Sequence, residues 1–169
     1  LKHLEEYAQE LPEHHTHKLP KGVTACPSAR MLRWAEKEEK VAKEPAEPRS
    51  ELRHWPIQLQ LVQPYAPYYQ NADLIIVADC VPFAYANFHE DFLKGKAIAI
   101  GCPKLDDVDA YKEKLRQIIE TAHPRSIKIV HMEVPCCFGL ITLVQQAVRE
   151  ARRTIPLEEI VISITGEKL

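Results

Sequence analysis

The sequence predicts an α/β fold, a doubly wound and largely parallel sheet in three Rossmann-like layers, carried behind an extended N-terminal arm. Three observations predict it. Short, apolar, β-branched runs at residues 71–79, 96–101, 127–134 and 157–164 read as buried strands. Between them lie stretches of helical periodicity, at residues 84–93, about 107–122, and from Leu140 onward. Strands that alternate with helices pair in parallel through right-handed crossovers.

Taken in order, residues 1–51 do not read as an independent domain. Residues 1–11 and 27–34 can form short amphipathic helices, but they offer few apolar side chains to bury. Residues 35–51 are charged and broken by Pro45 and Pro48, which describes an exposed linker and the first site of proteolytic cutting. His14, His15 and His17 lie between Pro12 and Pro20, where a solvated histidine run explains them without a metal. The composition changes at Leu52, so the expected division is 1–51 for arm and linker and 52–169 for the cysteine-bearing domain. Residues 55–62 suit an edge strand or extended arm, ended by Pro64 and Pro67.

Beyond the strand at 71–79, the helix at 84–93 should bury Phe88 and Phe92 and expose His89, Glu90 and Asp91. Asp106 is the expected N-cap of the next helix, whose Tyr111, Leu115, Ile118 and Ile119 form an apolar stripe. Residues 127–148 then change period halfway, from a short, β-branched, apolar strand to a helix with Leu140, Ile141, Val144, Ala147 and Val148 on one face. Cys136 and Cys137 sit at that change. There the helix N-terminus favours thiolate over thiol.

Two further strands end the same way, in Cys80 and in Cys102, so four of the five cysteines fall on equivalent turns. In an open parallel sheet those turns share the carboxyl edge, where such folds bind ligands. Neighbouring strands stand about 4.8 Å apart, so thiols from successive turns can converge. Four thiolates meet the needs of a cubane iron–sulfur cluster or a tetrahedral zinc. Prolines 82, 103 and 135 stiffen the turns, and Gly101 and Gly139 let backbone approach closely. A single cysteine at a strand end is often core filler; four on matching turns make the ligand set Cys80, Cys102, Cys136 and Cys137. Adjacent side chains diverge on a regular backbone, so one of Cys136 and Cys137 can be a packing or supporting thiol. Cys26, in the arm, reads as a free surface thiol.

Other chemistries fare worse. The glycines at 22, 95, 101, 139 and 166 make neither a dinucleotide turn nor a phosphate loop. A Cys136 nucleophile paired with His131 or His89 lacks an oxyanion hole, and His131 lies within a strand where it packs or hydrogen-bonds. With 22 Lys and Arg against 24 Asp and Glu, the sequence gives no support for a nucleic-acid or membrane partner. Free cysteines without a secreted-type framework point to a reducing cytoplasm. The chain opens with Leu1, so an upstream segment is expected.

The runs Ala-Asp-Cys-Val-Pro-Phe-Ala-Tyr, Asp-Phe-Leu-Lys-Gly-Lys, Gly-Cys-Pro-Lys-Leu-Asp-Asp and His-Met-Glu-Val-Pro-Cys-Cys-Phe-Gly-Leu resemble the C-terminal part of ferredoxin-type 4Fe-4S binding proteins of anaerobic bacteria and archaea. The resemblance covers about residues 26–169 and is specific in the three cysteine turns. In that family a two-cluster ferredoxin domain precedes a charged, His-containing linker and an α/β domain. No Cys-x-x-Cys-x-x-Cys run occurs here, so those clusters would belong to an upstream segment. The expectation is therefore an electron-transfer protein with a 4Fe-4S cluster and an upstream ferredoxin domain or redox partner. A structural zinc or interaction module, and a thiol enzyme using the vicinal cysteines, are the alternatives.

Overall fold

The computed structural model describes residues 31–33 and 49–169. The expectations for Cys26, the histidine run and most of the arm and linker fall outside these residues. Six strands are present among the described residues: β1 (Leu32–Arg33), β2 (His54–Trp55), β3 (Asp73–Ala78), β4 (Ala97–Gly101), β5 (Ser126–Met132) and β6 (Leu157–Ile162). The helices are α1 (Val81–Ala84), α2 (Val108–Ala122) and α3 (Phe138–Glu150), with a π turn at His89–Leu93 and 3₁₀ turns at Pro67–Tyr69 and Pro135–Cys137.

β3 to β6 form one parallel sheet in the order β4-β3-β5-β6, the doubly wound arrangement expected. The central strand explains its own composition. Leu74, Ile75, Ile76, Val77 and Ala78 are all at most 2% exposed, because layers cover both faces of the sheet. The stripe of α2 (Tyr111, Leu115, Ile118, Ile119) and that of α3 (Leu140, Val144, Ala147) are buried, and the two helices pack against each other. Right-handed crossovers place that pair on one face and the α1 connection on the other. After β3 the chain moves outward to β4, and after β5 it moves outward to β6. The topological switch point therefore lies between the carboxyl ends of β3 and β5.

Both edges of the sheet are covered. Beside β4, Ile100 donates to Ile57 O at 2.9 Å and Leu59 donates to Ile100 O at 2.8 Å, so the segment after β2 continues the sheet by one bridge at Gln58. The C-terminal residues turn back along β6, where Ile162 bridges Lys168 and Leu169 donates to Val161 O at 3.0 Å. Such coverage blunts edges that would otherwise pair with other chains.

Three local expectations need correction. Residues 84–93 are not one helix: α1 ends at Ala84 because Tyr85 is extended, and the chain re-forms only as the π turn. Phe88 and Phe92 are nevertheless buried with ring centroids 5.7 Å apart, so the apolar spacing was read correctly while the backbone was not. The helix expected at 27–34 is contradicted at Leu32–Arg33, which pairs antiparallel with His54–Trp55. The N-cap of α2 is Asp107, whose Oδ1 accepts from the amides of Asp109 and Ala110 at 3.0 and 3.1 Å. Asp106 instead serves the turn before the helix.

Candidate functional site

Each of the four cysteines outside the arm stands where the chain leaves the carboxyl edge of the sheet. Cys80 follows β3 by two residues, is exposed, and occupies the N-cap position of α1. Cys102 directly follows β4 and is half-buried. Its amide donates to Asp106 Oδ2 at 2.9 Å, while the amides of Leu105 and Asp106 return to its carbonyl. The Asp106 carboxylate thus closes the turn that presents Cys102. Cys136 and Cys137 form the 3₁₀ turn between β5 and α3, Cys136 exposed and Cys137 only 5% exposed. The adjacent pair differs in exposure, while the Cys136 thiol stays near enough to act on that of Cys137.

The turn after β4 and the start of α3 touch. A Cβ added to Gly139 would lie 3.4 Å from Pro103 Cβ. Cys102 is correspondingly near enough to act on Cys137. Burial pushes the Cys137 thiol above its ordinary value, and the neighbouring Cys136 and Cys102 push it the same way. This corrects the expectation that the start of α3 makes Cys137 a thiolate. Without a cation, desolvation and thiol crowding outweigh the helix dipole. Among the described residues, no three His, Cys, Asp or Glu side chains stand together as a group able to hold a metal ion.

A switch point between β3 and β5, with crossovers on both faces, is the geometry of a dinucleotide-type fold. A family model described as a Rossmann-like domain matches residues 66–169. The chain belongs to the Rossmann-like domain family. A relative from Archaeoglobus fulgidus, itself an uncharacterised protein, is 29% identical over 116 residues, covering 69% of this chain and 81% of that protein. No solved structure matches. Among the described residues of this Rossmann-like domain, no helix is long and apolar enough to cross a membrane.

The edge carries carboxyl groups beside the thiols. Asp79 immediately precedes Cys80, and Gln58 donates to its Oδ1 at 3.4 Å. Burial raises its carboxyl above the usual range and the charge of Asp106 adds to this, against the Gln58 hydrogen bond. Tyr111, fully buried beneath, is held protonated chiefly by burial and also by Asp106, Asp79 and Cys102. Its hydroxyl approaches Asp106 without reaching hydrogen-bond geometry. The signal for this cluster was present as Asp79 next to one cysteine and Asp106 four residues after another. Only the β3–β4 pairing of Ala78 with Gly101 shows that they meet.

The histidines considered as bases are engaged elsewhere. His131 is fully buried in β5, with Nδ1 2.8 Å from Met132 O and Nε2 3.0 Å from Glu159 Oε1. His89 Nδ1 accepts the Glu51 amide at 3.1 Å. Both ring nitrogens of His131 are thus engaged, as is Nδ1 of His89. In metal-free protein, alkylation with iodoacetamide should therefore follow exposure and thiol acidity. Cys80 and Cys136 are expected to react first and Cys137 last, by about tenfold or more in rate. Mass mapping of the labelled peptides checks the order, and early modification of Cys137 would refute its burial.

Proposed function

We propose that the carboxyl edge of this Rossmann-like domain binds an iron–sulfur cluster, of the 4Fe-4S type, through Cys80, Cys102, Cys136 and Cys137, and that the protein transfers electrons. One observation carries the reading: three parallel strands deliver four cysteines to one edge, on both sides of the switch point. The resemblance of the cysteine turns to those of ferredoxin-type 4Fe-4S binding proteins supports it.

The surroundings fit a cationic centre. Cys137 is raised by burial and by two neighbouring thiols, and Asp79 by burial and Asp106, so the edge concentrates acidic groups that repel one another when ionised. A thiolate-bound cation reverses that penalty. Closing the ligand set requires Cys80 and Cys136, both exposed, to swing inward from side chains that packing does not hold. Large apolar side chains are exposed beside each cysteine turn: Phe83 at 92%, Leu105 at 81% and Phe138 at 51%. An apolar rim around a redox centre suits the docking face of a redox partner, an upstream ferredoxin domain included.

Protein purified without oxygen is expected to be brown, with broad thiolate-to-iron absorption near ~400 nm and about four irons per chain. Replacing Cys102 by Ser should remove the colour. Colourless protein holding one zinc per chain would favour the structural-zinc alternative, which the same four thiols could serve. Colourless, metal-free protein from anaerobic preparations would end the metal reading.

A further inference from the structure

At the opposite, amino edge of the sheet lies a cleft of about 700 Å³, within the range of small-molecule sites. It opens between the residues that lead into β3, β4 and β5 and the paired strands β1 and β2. Among the described residues its walls include Arg33, Arg53, Lys96, Arg125 and His54, and no acidic residue. Two of these cations are compensated from outside the walls, Arg53 by Glu51 at 2.9 Å and Arg125 by Asp73 at 2.6 Å. Arg33 and Lys96 form no ion pair among the described residues, and Lys96 Nζ donates to Asp91 O at 3.1 Å, so the cleft keeps a net positive charge.

A second observation comes from unsatisfied donors. Among the described residues four buried side-chain atoms lack a hydrogen-bond partner, and three of them belong to these walls: Arg53 Nε, His54 Nδ1 and the Tyr68 hydroxyl. Nε2 of His54 accepts the Ile98 amide at 2.9 Å, so in the neutral ring Nδ1 carries the proton. It is turned toward the Pro56 carbonyl without meeting hydrogen-bond geometry. Buried donors without partners are rare in folded proteins and call for an explanation.

We propose that this amino-edge cleft binds a small molecule through a phosphate or pyrophosphate group. Arg33, Arg53, Lys96 and Arg125 line the cleft from separate segments of the chain, and the buried Arg53 Nε and Tyr68 hydroxyl lie in its walls without partners. A tetrahedral oxyanion offers acceptors in several directions, whereas a carboxylate offers one planar edge. The site is independent of the thiol edge and of any metal bound there.

Calorimetric titration of the full chain with pyrophosphate and with inorganic phosphate, at matched ionic strength, tests it. Saturable binding at one site per chain is expected, weakened by about tenfold or more in Arg33→Glu and in Lys96→Gln. Cys102→Ser should bind as the parent does, which separates this site from the thiol edge. Inorganic phosphate binding as tightly as pyrophosphate identifies a single phosphate group as the recognised element; binding of pyrophosphate alone identifies the diphosphate. Absence of saturable binding, tighter binding of citrate than of either, or indifference to Arg33→Glu overturns the proposal. Amide NMR shifts of the unmutated chain guard against variants that misfold: on adding pyrophosphate they should cluster at Asn71, Gly95 and Lys96, and shifts confined to other regions overturn it equally.

Discussion

Stability should fall by about 3 kcal/mol as the pH drops from about 6.5 to about 4, before most carboxylates titrate. The cause is His54, 2% exposed, its ring stacked on Tyr68 at 4.2 Å and edge-on to Tyr69 at 5.8 Å. Burial, joined by the charge of Arg33, lowers its pKa from 6.5 to about 4. The folded state therefore holds a neutral ring through a range in which the unfolded chain takes up a proton. Between those values the unfolded state binds more protons, so stability decreases as the pH falls. Two and a half pH units at about 1.4 kcal/mol each give the stated size, which is fully lost below about pH 4 and fully present above about 6.5.

Urea unfolding across this pH range measures the effect. His54→Gln keeps an acceptor near the position of Nε2 for the Ile98 amide but cannot titrate. It should be less stable at neutral pH, through loss of the stacked ring, and flat where the parent declines. Parallel pH profiles for the two proteins would rule out His54 as the source. The depressed carboxylates act lower and with the same sign. Glu113, brought to about 2 chiefly by its Arg116 hydrogen bond, contributes stability that is lost only as the pH falls from about 4.5 toward 2.

Gly101→Ala should lower the unfolding temperature by roughly 3–10 °C, although it adds a single methyl group. A Cβ at Gly101 would lie 2.6 Å from Tyr111 Cε2 and 3.0 Å from its Cζ and hydroxyl oxygen. Tyr111 is fully buried on α2 and cannot swing aside, so the backbone of β4 or the helix must shift, at a cost of about 1–3 kcal/mol. The shift falls on the residue before Cys102, so reduced metal uptake is expected with the lower melting temperature. Gly139→Ala is the control. Its added Cβ meets only Pro103 at 3.4 Å, an ordinary contact, and within α3 the better helix former should leave stability unchanged or raise it by up to about 1 kcal/mol. An unchanged melting temperature for Gly101→Ala would show that Tyr111 has room the structure denies it.

The two ends of the sheet differ in chemistry. Thiols and the carboxyl groups of Asp79 and Asp106 gather where the strands finish, and arginines and a lysine gather where they begin. Their separation by the length of the strands lets each be tested without disturbing the other.

The parallel sheet, the two long helices and the alignment of the cysteine turns follow from the order of residues alone. Those features rest on local signals: β-branched runs buried on both faces, apolar stripes at helical spacing, and residues at matched offsets from strand ends. The bounds of β3 to β6 fall within about two residues of those expected, as hydrophobic periodicity allows. The rest depends on contacts between residues distant in the chain, which no local signal carries. The break after α1 answers to how Tyr85 and Phe92 pack, 5.4 Å apart, rather than to propensity. Asp106 left the cap to Asp107 because the Cys102 amide required an acceptor. The acidity of Cys137 reversed its expected direction once burial and neighbouring thiols were set against the helix dipole. The basic cleft had no local signature at all, since Arg33, Arg53, Lys96 and Arg125 come together only when β1 pairs with β2 beside the amino ends of the sheet.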